Sequence, residues 1–285
     1  FKMMMSSAPL VALLLTAPAS ALVVGARGGS RQIGRVATPF CSIAVFGASG
    51  GTGSEAVFQA LGRGQKVNCL VRNPARLLVP AGSGGAASES PLRDDSLRVI
   101  QGDVTNPVDV AKVFELGDVS GVVVALGGKT ADVGESMLTD GTRNVIEACK
   151  AGGIKRIAVV TSIGAGDSEN QAPFFFKVLM MTVMRKIFED KNNQEKLFLD
   201  GPGSDLEFTV VRPGGLSMEP PNGIVNVIKG EAGSISRADV AAFCLDAVTK
   251  AEWPYIGQTP CISSDKGTSW VKDKGMPVGG NIGRK

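Results

Sequence analysis

The sequence predicts an α/β fold, one doubly wound parallel sheet in a single domain. Three observations predict it. Short apolar runs alternate with helical stretches along most of the chain. The glycine-rich stretch VFGASGGTG (45–53) stands between the first strand-like run and the first helical one. The chain has 285 residues, 44% hydrophobic and 20% charged, which suits one α/β domain of about 200–250 residues plus end segments.

The elements follow in order. SIAVFG (42–47) is a short apolar run ended by glycine, a buried strand. SEAVFQALGRG reads as a helix with Val57, Ala60 and Leu61 on one face and Gly62 and Gly64 as stop signals. KVNCLVR (66–72) and LRVIQGDV (97–104) are the second and third strands, VDVAKVFE a short helix after Pro107, and GVVVALGG (121–128) the fourth strand. ESMLTDGTRNVIEACKAGG is a long amphipathic helix closed by glycines, and RIAVVTSIGAG (156–166) the fifth strand. FFFKVLMMTVMRKIFEDKNNQEKLFLD is one helical region, and LEFTVVRPGG (206–215) the sixth strand. SRADVAAFCLDAVTK is a late helix with Ser236 as its N-cap. Strand–helix alternation of this kind is the Rossmann arrangement. The Gly/Ser/Ala-rich stretch PAGSGGAASESPLRDDS (80–96) is expected to be a mobile loop.

The folded domain is expected over 41–263, with a flexible, polar tail at 264–285. Residues 1–40 read as a targeting presequence. An apolar run behind Lys2 ends in the small residues Ala19, Ser20 and Ala21, as at a signal-peptidase site. A basic, acid-free stretch follows, like a transit peptide. This two-part pattern predicts import into the plastid (the chloroplast stroma) of an alga; secretion is the alternative. Met3, Met4 or Met5 is the expected initiator.

Composition excludes several chemistries. With no histidine, every histidine triad, histidine general base and mixed Cys/His zinc site is ruled out, and no metal is expected. The five cysteines, Cys41, Cys69, Cys149, Cys244 and Cys261, form no C-x-x-C pair and read as buried thiols of a reducing compartment. Beyond residue 40 there are 26 basic and 27 acidic residues, so bulk charge gives no support to a nucleic-acid partner.

Gly47, Gly50 and Gly53 form G-x-x-G-x-x-G between a strand and a helix, which favours a pyrophosphate turn over a structural loop. Gly47 suits a tight turn, Gly50 and Gly51 let a phosphate approach the backbone, and Gly53 lets the helix sit close to the strand. Ser49 and Thr52 add hydroxyl donors, and the helix start adds free N–H groups. An NAD site would carry a carboxylate near the end of the second strand. Here Arg72 sits 19 residues past Gly53, and Arg76 follows. Two guanidiniums suit a 2′-phosphate, so NADP(H) is the expected cofactor; solvated surface charges are the alternative. Further candidates stand at strand ends, where such sheets bind ligands. Asp103 and Val104 are placed at the adenine edge, although Asp103 also suits a plain turn. Ala125, Leu126 and Gly127 are placed under the ribose, and Thr161 and Ser162 beside the nicotinamide.

With those residues in hand, the chain resembles the atypical short-chain dehydrogenase/reductases. The likeness is to NmrA-like and flavin reductase/biliverdin reductase B-type members and their plastid relatives. VFGASGGTG, LVRNPARL, VIQGDVTNP, DGTRNVIEACKAGGIKRIAVVTSIGAGD, FTVVRPGGL and ISRADVA carry the resemblance. It implies NADP(H) at the turn, arginines and strand ends, with Pro213, Gly214, Gly215 and Leu216 lining the nicotinamide side. The chain departs from the Tyr-x-x-x-Lys unit of ordinary short-chain reductases. With Lys191 in the lysine position, the tyrosine position is Ile187, and the sole tyrosine, Tyr255, lies beyond the last helix. The proton must then come from water or a serine. Ser162 is the catalytic candidate, and Lys191 a second that bonds the ribose or stabilises developing charge. The alternatives are a backbone-bonding serine and a solvated lysine. The run from Pro173 to Met184, with three phenylalanines and three methionines, is read three ways: an apolar cleft for a flat aromatic or conjugated small-molecule substrate, a core or lipid-facing helix, or a protein-partner surface. The expectation is an NADP(H)-dependent oxidoreductase acting on a flavin or quinone-like ring; the alternative is an NADP(H)-binding redox sensor or assembly factor with little turnover.

Overall fold

The structure, a computed structural model, describes residues 42–115, 117–128, 134–172 and 174–264. The presequence expected at 1–40, Cys41, Pro173 and the tail from residue 265 onward lie outside the described residues.

Eight strands form one sheet. They are β1 (Ser42–Phe46), β2 (Lys66–Val71), β3 (Leu97–Gln101), β4 (Val119–Val124), β5 (Arg156–Val160), β6 (Glu207–Pro213), β8 (Asn226–Ile228) and β10 (Cys261–Ser263). Their order is β3-β2-β1-β4-β5-β6-β10-β8. Every neighbouring pair is parallel except β10 with β8, so the sheet is mostly rather than wholly parallel. A small parallel pair joins β7 (Gly215–Ser217) to β9 (Ser234–Ser236). None of these last short strands was expected, because three residues are too few to display a period of two.

Alternation along β1 distributes its side chains to two cores. Ile43 and Val45 join a cluster with Ala56, Val57 and Ala60 of helix α1 (Gly51–Gly62) and Val240, Ala241 and Cys244 of α6 (Arg237–Thr249). Ala44 and Phe46 face the other way. They pack with Val110 and Val113 of α2 (Pro107–Glu115), Val145 and Ile146 of α3 (Met137–Ala151), and Leu197 and Phe198 of α5 (Arg185–Leu199). Coverage on both faces explains why this strand is apolar throughout instead of alternating. Full burial of each valine, leucine, isoleucine or phenylalanine among them contributes about 1.5–3 kcal/mol.

Three expectations change. The single helical region after β5 is two helices, α4 (Phe174–Met181) and α5, broken near Met184, the residue preceding α5. The strands end earlier than the apolar runs do: 102–104, 125–128 and 161–166 lie beyond β3, β4 and β5. The stretch 80–96 is folded back on itself, with Val79 N–H donating to Ser90 O at 2.8 Å and Glu89 N–H to Val79 O at 2.9 Å. It is also tied to α1, where the Glu55 carboxylate, 2% exposed, accepts the Ser83 N–H at 3.0 Å.

Ser236 caps α6 as expected, its hydroxyl accepting the Asp239 N–H at 3.0 Å. Helix α1 begins at Gly51, so the end of the glycine stretch is the helix's first turn. Gly47 has φ +80°, which favours glycine, and its backbone packs on Ala125. A Cβ on Gly53 would overlap the carbonyl of Gly47. Because that neighbour is backbone, Gly53→Ala is expected to cost about 2–3 kcal/mol, the scale of overpacking, and to lower Tm on the order of 5–10 °C. A thermal melt checks it; an unchanged Tm contradicts the close packing of α1 on β1.

Candidate functional site

The sheet order reverses at β1, which has β2 on one side and β4 on the other. Chains leaving neighbouring strands there turn to opposite faces and open a crevice. Two recesses occupy it, about 500 Å³ and 440 Å³, and both include Gly50, Leu126 and Gly127.

The first recess collects Gly47, Ser49, Gly50, Arg72, Arg76, Asp103 and Val104, drawn from the ends of three strands. Arg72 and Arg76 are both exposed. A single 3-10 turn, Pro74–Arg76, spaces them, and Asn73 Oδ1 caps it by accepting the Ala75 N–H at 3.0 Å. Asp103 Oδ1 accepts from the Thr105 N–H at 2.9 Å and the Thr105 hydroxyl at 2.7 Å. Those bonds, aided by the charge of Arg72, hold the Asp103 pKa below its ordinary value. Asn144 of α3 fixes the next residue by donating to Val104 O at 3.0 Å.

The second recess gathers Gly51, Thr52, Ala125, Thr161, Lys191 and Leu216. Met184, Ile187 and Arg237 also line it. Ile187 and Lys191 are one turn apart on α5 and face the same space, so an apolar side chain stands one turn before the lysine. Lys191 Nζ donates to Thr161 O at 3.1 Å. Burial pushes the Lys191 pKa down to about 8, against the opposing pull of Glu195 and Asp190.

Beneath the lysine lies a buried charge network. The Thr161 hydroxyl donates to Glu195 Oε1 at 2.7 Å. Arg212 Nη2 donates to Glu195 Oε2 at 2.6 Å, and Arg212 and Glu195 are 2% and 1% exposed. Arg212 Nη1 reaches Asp167 at 2.5 Å. Burial opposes the Arg212 charge, but Glu195 and then Asp167 outweigh it and raise its pKa. Such a pair holds its neighbours in place, because removing one partner costs about 3–5 kcal/mol. Asp190, 2% exposed, accepts the Leu138 and Thr139 N–H groups at 2.8 and 3.0 Å, so a carboxylate from α5 caps the start of α3.

Five candidate residues line neither recess. Gly53 is buried against Gly47. Pro213 and Gly214 are buried at the end of β6 and just beyond it, where a Cβ on Gly214 would overlap the carbonyl of Gly233. Gly215 is exposed and pairs with Ser234 in the small sheet. Ser162 is partly buried next to Thr161. Among the described side chains of the run 173–184, Met184 reaches the recess. Met180 packs on the Gly164 turn, and Phe176 makes an edge contact with Phe188 at 5.8 Å between centroids. Phe174, Val178, Met181 and Val183 are exposed. Tyr255 packs instead in a core cluster with Phe243 and Trp253.

The residues present fit a dinucleotide. A Cβ on Gly127 would meet no atom within 4 Å, so its absence widens both recesses. Helix α1 has no side-chain N-cap, which leaves its first N–H groups for an anion. A larger recess, about 630 Å³, opens between α1 and α6. Its charged groups are satisfied, Asp246 pairing with Arg63 at 2.8 Å and Lys250 at 2.9 Å and Asp239 accepting the Asn222 and Gly223 N–H groups, and the glycine turn does not reach it. Cys69, Cys149 and Cys244 are buried and unpaired, with pKa values pushed up to about 12 by burial, and Cys261 is also buried and unpaired. Among the described residues no cluster of metal-ligating side chains occurs. No described helix is long and apolar enough to cross a membrane.

Comparison with known proteins agrees with this geometry. The pattern of the NAD(P)H-binding family matches residues 47–251. An uncharacterised chloroplastic protein of Arabidopsis thaliana is 33% identical over 220 residues, 73% of this chain and 72% of that protein. ChuY, an anaerobilin reductase from Escherichia coli O157:H7, has the same fold, with a TM-score of 0.60 and 23% identity. The superposition covers 79% of this chain and 98% of that one. A short-chain dehydrogenase/reductase from Veillonella parvula, solved in complex with NADP, has a TM-score of 0.62 and 15% identity over 82% of this chain and 99% of that one. Matching glycine turn, strand order and family pattern together, the chain belongs to the NAD(P)H-binding family.

Proposed function

We propose that the chain is an NADP(H)-dependent oxidoreductase of the atypical short-chain dehydrogenase/reductase type, reducing a small molecule with a flat conjugated ring, such as a flavin or quinone. One observation carries the reading. The two recesses join into a trough with two exposed arginines at one end, the glycine turn in the middle, and an apolar chamber beside Lys191 at the other. Arg72 and Arg76 suit a 2′-phosphate, and the start of α1 suits the pyrophosphate. Met184, Ile187 and Leu216 suit the face of an aromatic ring. Bound there, NADPH supplies a hydride. Lys191, with its proton held loosely near neutral pH, delivers the proton that the reduced substrate takes up. Ser162 is the second proton donor on this reading, one residue past Thr161. Relatives described as a reductase and as chloroplastic support a reductase role and a plastid site of action. Contact with a membrane surface or partner protein falls on the exposed apolar face of α4.

A sensor or assembly role with little turnover is the second reading. It is favoured by Ile187 where a tyrosine would act, and by Ser162 standing outside the lining of the recess.

NADPH oxidation with a panel of flavins, quinones and bilins tests the proposal. Turnover with one of them is expected; tight NADPH binding with no turnover across the panel contradicts the enzyme and leaves the sensor. Ser162→Ala is expected to lower turnover by about tenfold, the low end for a lost proton donor, without changing NADPH affinity. An unchanged rate removes Ser162 from the mechanism.

A further inference from the structure

Arg237 is the first residue of α6, but its side chain leaves that helix and crosses to the first turn of α1. A Cβ on Gly51 would sit 2.6 Å from Arg237 Cδ and 2.8 Å from Nε. The missing side chain at Gly51 thus provides the room that the arginine fills. The stretch ISRADVA was informative as a helix start, yet nothing in its spacing points to this crossing.

The guanidinium has an unusual set of partners. Nη1 donates to the carbonyls of Leu216 at 3.4 Å and Ser217 at 3.3 Å, and lies 3.3 Å from Met218 Sδ. These contacts are long, and all are neutral. Burial lowers the Arg237 pKa. The chain treats its other buried and partly buried arginines differently. Arg212 has Glu195 and Asp167, Arg63 has Asp246, and Arg156 has Glu207. Among the described residues Arg237 has no carboxylate within ion-pair distance, although it is only partly exposed. It adds its charge to the uncapped N–H groups of α1, at the wall of the second recess. A partly desolvated guanidinium beside a helix N-terminus is an anion site lacking its anion's charge.

We infer that Arg237 is a phosphate clamp, reaching across Gly51 so that its fork and the first N–H groups of α1 hold the dinucleotide pyrophosphate from two sides. This rests on the trough being the dinucleotide site. It assigns Arg237 a different task from Arg72 and Arg76, because the pyrophosphate is common to NADPH and NADH whereas the 2′-phosphate is not.

The test is calorimetric titration of the full chain and of Arg237→Gln with NADPH, NADH and adenosine 2′-monophosphate, which lacks the pyrophosphate. Loss of a charge-assisted bond predicts roughly 10- to 100-fold weaker binding of both dinucleotides. Adenosine 2′-monophosphate is expected to bind both chains alike. Equal dinucleotide affinity in the variant overturns the clamp, as does a loss confined to NADPH or a parallel loss of adenosine 2′-monophosphate. A wild-type chain that binds neither dinucleotide overturns the functional reading and the clamp with it. Should Arg237→Gln fail to fold, Arg237→Lys keeps the stem and the charge but not the fork. It is then expected to weaken both dinucleotides by several-fold, on the order of 1 kcal/mol, and unchanged affinity overturns the clamp.

Discussion

Replacing Arg72 and Arg76 together with alanine is expected to weaken NADPH binding by about 100-fold, the sum of two charge-assisted contacts of about 1.5 kcal/mol each. NADH binding is expected to change by no more than about twofold, since unpaired surface charges contribute little to anything else. Both side chains are exposed. The backbone under Arg72 is held independently, its carbonyl accepting from Gln101 Nε2 at 3.3 Å. The double variant should therefore keep its fold and its pyrophosphate contacts. Competition between the two cofactors, measured by titration, is the check. Equal losses for NADPH and NADH refute the 2′-phosphate assignment and leave the arginines as solvated charges.

Replacing Lys191 with methionine is expected to lower turnover by roughly 100- to 1000-fold, the range for losing a positioned proton donor or charge stabiliser. The lysine lines the recess and is anchored by Thr161 O, while Glu195 holds the Thr161 hydroxyl. The pH dependence gives a second readout. With its pKa pushed down to about 8 by burial, the ammonium is present below that pH and lost above it. Wild-type turnover should therefore fall as pH rises through about 8, and Lys191→Met should show no such step. The effect on stability has the opposite sign. Between the folded value of about 8 and the ordinary value of 10.5, the unfolded chain keeps a proton that the folded chain has released. Folded stability rises with pH across that window. A rate that is flat through pH 8, or a Lys191→Met variant as fast as wild type, removes the lysine from the chemistry.

Much of the fold was legible because five of the six long strands, β1, β2, β4, β5 and β6, are buried along most of their length, whereas the edge strand β3 is largely exposed. Runs such as SIAVFG then stay apolar without interruption and stand out against the helices between them. The break between α4 and α5 was not legible, since no glycine or proline marks it and Met184 suits either helix. Strands β7 to β10 were hidden by their length.

The half of the trough built on the glycine turn was more legible than the half beside Lys191. Gly47, Gly53, Arg72 and Arg76 are tied to the backbone of one β-α-β unit, so spacing alone places them. Lys191, Thr161, Glu195 and Arg212 meet from three separate elements, β6, α5 and the turn after β5, and periodicity records none of those meetings. Asp190 gave no signal either, because a carboxylate capping a distant helix looks in sequence like any helix-surface acid. The crossing of Arg237 to α1 was concealed in the same way, because it depends on an absent side chain at Gly51.

A crystal structure of the chain with NADPH tests the central claim most directly. The account predicts the dinucleotide along the trough, with its 2′-phosphate at Arg72 and Arg76, its pyrophosphate over Gly50 to Thr52, and its nicotinamide beside Thr161 and Lys191. An empty trough at saturating NADPH, or a dinucleotide bound in the recess between α1 and α6, would contradict it.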